Sequence, residues 1–360
     1  MRNARKDLLA KPLFLPSCFP HSIPPSLWPP KKSTRNGRLS CLRYLARTLD
    51  LRCATAAAAG NAPLGHQSAL IIARLTQACQ KEPFLIAPYV AASGASDLAN
   101  AVWNLCDSRA GNGEDFSRLE TALGLIDFRA ATALAFSSEL IVGSGQYRLY
   151  KAAPELFIPF ITDFYGHPDP TQLMFYRVFV RLPSGFFDAN SAMLSNTEFV
   201  YLVKPLRNRG WRAALDSSHE LEAMLQKREA KPWSHLSTSM ASISVRGAEG
   251  SIPRGIYAQT LVNQAIIACA LERHRIQNGS YPDSLDLVKL TDGKSLPTDI
   301  LTGKPMGYRT TANGKYALWC VSLNGKDHGG TRVLDKEHPE NTKFRKDTYE
   351  GDWVWDFPEK

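Results

Sequence analysis

Apolar residues recur at helical spacing along most of this chain, so its larger part reads as a set of amphipathic helices. From residue 66, Leu70, Ala73, Leu75, Ala78 and Cys79 lie on or near one stripe, which Glu82-Pro83 ends. Residues 85–106 form a second stretch, rich in Ala and bent near Pro88 and Gly94, whose small side chains suit close helix approach in a bundle. Phe116, Leu119, Leu123 and Ile126 start a third helix. Leu134, Leu140 and Ile141 lie on a fourth, which Gly143 and Gly145 close. Residues 190–203 read as a further helix stopped by Pro205, and 215–231 as a charged one with Leu221, Met224 and Leu225 facing inward. Between them, Phe157, Phe160, Ile161 and Phe164 sit at helical spacing in an aromatic stretch. That stretch reads as core or as a lid over the bundle, with a ligand groove as the rival; Asp163 and His167 beside it make no site.

The pattern changes after a Ser- and Gly-rich stretch at 232–254. Leu261, Ala265 and Cys269, with Val262, Ile266 and Ala270 offset by one, predict a long helix. Pro253 suits its first turn, Arg273, His274 and Arg275 suit its negative end, and Asn278-Gly279 supplies a left-handed cap. Tyr281-Pro282 discourages continuation. A short helix over 282–290 comes next, then turn chemistry at Leu296-Pro297 and at 302–305. Asn313-Gly314 between the β-prone runs 306–311 and 315–322 predicts a hairpin whose second strand is apolar on both faces. Trp353, Trp355 and Phe357 alternate in a strand-like tail laid on that sheet. The fold class is therefore mainly α, a helical domain followed by a small α+β module with an antiparallel sheet. The divisions are a disordered basic, Pro-rich tail over 1–60, a helical domain over 64–232, a linker over 233–252 and the module over 253–358.

The stretch "ALERHRIQNGSYPDSLDLV…LPTDILTGKPMGYR…KYALWCVSLNGKDHGG" resembles the C-terminal half of the type II secretion major pseudopilins. "KEPFLIAPYVA" and "RLPSGFFDANSAMLS" ahead of it resemble large proteins of planctomycete and verrucomicrobial type, a likeness that brings no mechanism. The first resemblance covers roughly residues 256–356. It implies a capped helix, a Leu-Pro-x-Asp connection, a small antiparallel sheet and an Asp/Gly loop. No leader with a single apolar helix precedes residue 256, so the fold of the module is carried over and filament assembly is not. The resemblance also implies Ca²⁺ in the Asp/Gly loop, with Asp327 and Asp352 at the nearest matching positions and Asn324 in the same loop. Carboxylates and inward-turned carbonyls are what a hard cation needs. A metal-free turn is the alternative.

Composition narrows the function. The formal charge of +9 belongs to the start of the chain: residues 1–53 hold eleven of the 43 Lys and Arg against Asp7 and Asp50, which leaves 32 basic and 32 acidic residues elsewhere. Such a tail suits nucleic acid or an anionic surface, yet few aromatics interleave its cations, so nucleic acid is not favoured as a partner. A short basic helix fits 39–51. Seven scattered cysteines without a CxxC, four of them (Cys79, Cys106, Cys269 and Cys320) on apolar faces, read as buried thiols and lean to a reducing compartment. No run reaches the ~18 apolar residues of a spanning helix. The absence of a signal segment points to the cytoplasm, the resemblance to the envelope. No HExxH, GxSxG, Walker or dinucleotide motif occurs, and Glu272-Arg273-His274 reads as dipole compensation rather than acid–base equipment. The leading expectation is a non-catalytic structural or interaction protein, envelope or secretion associated, with a protein partner. The rivals are an enzyme with a pocket between helical domain and module, and a binder of nucleic acid or anionic surfaces through the tail.

Overall fold

Caps set where the helices begin. The computed structural model describes residues 34–153, 174, 177–178, 181–230, 241–242, 244–245, 250–332 and 351–357. The first helix is α1 (Thr34–Ala58). Asn61 accepts from the Leu64 amide and opens α2 (Ala62–Gln80). After α3 (Ile86–Asp107), Asn112 and Asp115 cap each other's backbone at the start of α4 (Gly113–Leu123), and Asp127 caps α5 (Phe128–Ala152). Then α6 (Ser184–Glu198) runs into a π turn (Phe199–Val203) and on into α7 (Lys204–Asn208), before α8 (Trp211–Glu229).

The described residues from 38 onwards form one compact unit, and α9 (Ser251–Asn278) lies at its centre against α3, α4 and α5. Beyond its two adjoining apolar rows, Thr260, Asn263 and Gln264 are also inside, so it is buried nearly all round from Ile252 to Glu272, as a helix inside a bundle should be. Each fully buried Ile or Leu there contributes roughly 1.5–3 kcal/mol. Close approach needs small residues: a Cβ on Gly255 would sit 2.5 Å from the Trp211 ring, and one on Gly94 2.7 Å from Thr76 Oγ1. Gly279 ends α9 at φ 83°, its amide on Arg275 O at 2.8 Å.

Three antiparallel strands complete the described chain, β1 (Gly307–Thr310), β2 (Tyr316–Val321) and β3 (Asp352–Trp355), in the order β1-β2-β3. Tyr308 pairs with Leu318 on one side of β2, and Trp355 with Leu318 on the other. Gly314 at φ 69° makes the hairpin turn. β2 is buried on both faces, with only Trp319 half-buried, and the Trp319 indole lies where a side chain on Gly307 would otherwise be. The molecule is mainly α with a small α+β module at its C-terminal end.

Several expectations are corrected. Residues 34–58 are a helix rather than part of a disordered tail, because Leu39, Ala46, Leu49 and Cys53 are buried in the bundle. The buried face of α2 is His66, Ala69, Ile72, Ala73, Thr76 and Cys79, rotated from the stripe read through Leu70, Leu75 and Ala78. Gly143 and Gly145 do not close α5, which continues to Ala152. A Cβ on Gly143 would meet Leu194 Cδ2 at 2.5 Å, so this glycine is a seat for α6. Pro205 does not stop the helix, since the wider π turn ahead of it accommodates the ring and the missing amide. Residues 282–290 hold only a 3-10 turn at Leu285–Leu287. The aromatic stretch at 154–165, with Asp163 and His167, and most of the 233–252 linker lie outside the described residues. Within that linker Ala241 and Val245 are buried.

Candidate functional site

The Asp/Gly loop is built from the backbone outwards. Gly325, Gly329 and Gly330 take positive φ of 69°, 66° and 77°, a conformation that glycine adopts without strain. The last two let the chain turn amides towards β3. His328 N and Gly330 N donate to Asp352 Oδ2 at 3.0 and 2.8 Å, and Asp352 N donates to Thr331 O. Asp327 Oδ1 accepts from Trp319 Nε1 at 3.1 Å and from Gly329 N at 2.8 Å. Asn324 Oδ1 accepts from Lys326 N at 2.8 Å, and its amide meets His328 Nε2 at 3.3 Å. Asn324 and Asp327 thus lie on the loop, which folds onto Asp352 at the start of β3.

One observation tests whether these residues fit a cation. Asp352 is 5% exposed, and its Oδ1 is buried without a hydrogen-bond partner. That orphan oxygen is the group a hard cation would take. The oxygens Asp327 Oδ1 and Asn324 Oδ1 are engaged by N–H groups and would exchange those partners for the ion. Among the described residues no group of three or more His, Cys, Asp or Glu gathers as metal ligands do. A site of two carboxylates completed by amide and carbonyl oxygens falls outside that pattern.

The second concentration of chemistry lies where the module meets the bundle. Glu272, 0% exposed near the end of α9, accepts from the Tyr281 hydroxyl and from Arg275, whose guanidinium forms a 2.8 Å ion pair with it. Burial and the neighbouring Glu272 carboxylate push the Tyr281 hydroxyl well above its ordinary range. The next residue, Arg273, pairs with the buried Glu120 of α4 at 2.8 Å, and Glu120 also accepts from Thr291 N. The Tyr316 ring meets Tyr281 edge-on at 4.9 Å, while its hydroxyl is buried with no partner. Cys106 and Cys269 are fully buried, and desolvation holds both thiols far above the range where a thiolate forms.

The sequence marked Glu272-Arg273-His274 as dipole compensation. Glu272 and Arg273 instead fasten α9 to Tyr281 and to α4. Asp299, in the Leu-Pro-x-Asp connection, was not singled out. Its Oδ1 accepts from Leu301 N and Thr302 N, and its Oδ2 from Val321 N at 2.8 Å, tying the connection to β2. The strand end is stitched down as well: Trp103 Nε1 donates to Asp356 O at 2.9 Å, Gln264 Nε2 to Trp353 O at 2.8 Å, and Lys315 pairs with Asp107 at 2.8 Å. Polar residues do cluster at the junction, as an enzyme pocket there would require, but they are closed upon each other. Comparison with family models, with curated proteins and with solved structures gives no match for this chain.

Proposed function

We propose that this protein is a non-catalytic structural or interaction protein whose C-terminal module is of pseudopilin type, with an envelope or secretion association. What carries the reading is the closure of the junction. Its buried carboxylates are spent on fixed partners within the chain: Glu272 on Tyr281 and Arg275, Glu120 on Arg273, Asp299 on three amides. An acid–base pair for chemistry needs access to a substrate, and Glu272 has none. The αL stop at Gly279 before Tyr281-Pro282, the central β2 and the loop folded onto Asp352 support the pseudopilin-type assignment. Fractionation of cells carrying the full tagged chain tests the location: recovery with the envelope supports the reading, and recovery in the supernatant alone defeats it.

In this reading the loop is where Ca²⁺ binds, through Asp352 Oδ1 with Asp327 and Asn324. Calorimetric titration of Ca²⁺ into the wild type should give a saturable signal that Asp327→Ala weakens and Asp352→Asn abolishes. Flat traces for the wild type leave the loop a metal-free turn.

A second reading has its own observation. On the outer face of α1, Tyr44 is 73% exposed, with Leu45 and Leu51 also exposed beside Arg43 and Arg47. Apolar side chains among cations suit an anionic surface. Deleting residues 1–53 is no clean test, since it removes the buried Ala46, Leu49 and Cys53. Arg43→Glu with Arg47→Glu is cleaner, with vesicle binding read as a function of salt.

A further inference from the structure

The seam between α5 and α6 is tied at three successive levels. Lys151 pairs with Asp188 at 2.7 Å, Ser144 Oγ and Ser195 Oγ share a 2.7 Å hydrogen bond, and Leu194 rests on Gly143. At the next turn the pattern breaks. Glu198, the last residue of α6, is 3% exposed, and its Oε2 is buried with no hydrogen-bond partner. The chain widens into the π turn directly after it, with Leu202 and Val203 buried but Phe199 and Val200 turned towards solvent. Single π turns inside helices occur frequently at functional sites.

We propose that the Glu198 carboxyl is a proton-gated latch: neutral, it holds the π turn and α7 against α5, and ionised, it leaves the interior and releases them. A buried carboxylate with no donor is costly, whereas a buried neutral carboxyl costs far less. Among the described residues no charge stabilises the anion. From α5, Glu139 faces it with a like charge while accepting from Leu85 N at the start of α3. Tyr147, also on α5, is engaged with Ser244. Of the cations on neighbouring elements, Arg129 donates to Leu206 O, Arg207 to Ser137 Oγ, and on α8 Arg212 pairs with Asp216. Glu139 is the one charge among the described residues that acts on Glu198.

Burial, with repulsion from Glu139 second, raises the Glu198 carboxyl from 4.5 to about 8. The folded value lies above the unfolded one, so the stability held by this group is complete below pH 4.5. It is lost as pH rises towards 8. The groove of about 620 Å³ along the seam is lined by Ser195, one turn before Glu198, and gives the leaving carboxylate a short way to solvent.

Hydrogen exchange of the full chain from pH 5 to pH 9, with rates divided by those of unstructured peptides at each pH, tests the latch. Protection of peptides covering 190–206 should fall about tenfold per pH unit between pH 5 and 8 and then level, while α9 peptides stay flat. Glu198→Gln should remove the slope. A flat wild-type profile, an equal slope in α9 or an unchanged slope in Glu198→Gln overturns the proposal. Glu139→Gln gives an independent reading: the levelling point should move to lower pH, and an unmoved point also overturns it.

Discussion

Two regions of this molecule bury carboxylates in opposite ways. At the end of α9, Glu272 lies fully inside the protein with a guanidinium and a phenol upon it. At the end of α6, Glu198 lies almost as deep with neither. Both sit in helical backbone whose amides are already bonded, so a carboxylate there depends entirely on what the side chains around it bring. The chain returns to Glu272 with Tyr281, two residues after the Gly279 stop, and with Arg275 from the same helix. Among the described residues, the charge it returns to Glu198 is Glu139, a like charge. The first arrangement makes a staple and the second makes a point that can open. Depth of burial does not separate a rigid junction from a labile one; the partner does.

The largest expected effect is at the staple. Glu272→Ala leaves Arg275 and the Tyr281 hydroxyl without their partner in a closed interior. Breaking a buried pair in this way costs about 3–5 kcal/mol. Chemical unfolding of the full chain should show a loss of that size. A loss below about 1 kcal/mol would mean that water reaches the junction and that no closed staple exists there.

Glu198→Gln is expected to act in the opposite direction and to depend on pH. At pH 8 the variant should be more stable than the wild type by roughly 2 kcal/mol, because the cost of burying the charge is removed while the buried amide still lacks a partner. At pH 4.5 and below the gain should vanish, since the wild-type carboxyl is then neutral. A gain that is the same at both values would remove the contrast between the two regions.

The junction was partly legible and the seam was not. The cap at Gly279 and the hairpin at Asn313-Gly314 are local signals, in which a few adjacent residues dictate one backbone conformation, and both stand. The two adjoining apolar rows of α9 gave one buried stripe, but its burial nearly all round, with Thr260, Asn263 and Gln264 inside as well, was not legible. The partners of Glu272 were near in sequence. By contrast, Gly143, Gly145 and Pro205 read as breaks because glycine and proline break isolated helices. Here Gly143 makes room for Leu194, a residue far along the chain, and the π turn makes room for Pro205 by a local widening. The burial of Glu198 depends on α5 in the same way, and no local pattern announces it. For the loop, Asn324, Asp327 and Asp352 were grouped through the pseudopilin resemblance alone, and no local pattern showed that amides, rather than carbonyls, turn towards Asp352.

Asp299 offers an intermediate case, a buried carboxylate satisfied only by backbone. Asp299→Ala leaves the amides of Leu301, Thr302 and Val321 unpaired where the connection meets β2, and a loss of about 2 kcal/mol is expected. The effect should be smaller than at Glu272, because no opposite charge is stranded. A loss equal to that of Glu272→Ala would show that amides alone anchor a carboxylate as firmly as an ion pair does.

The smallest effect belongs to the face that buries no charge. Arg43 and Arg47 are exposed on α1, while Ala46, Leu49 and Cys53 hold the helix to the bundle. Arg43→Glu with Arg47→Glu should therefore change stability by no more than about 0.5 kcal/mol. The same double variant reverses the local charge, so any attraction to an anionic vesicle should be lost at low salt, where screening is weakest. Retained stability together with retained vesicle binding would discard the surface reading of α1. A marked loss of stability would mean that these guanidiniums belong with the staple at Glu272, as fixed partners of the fold.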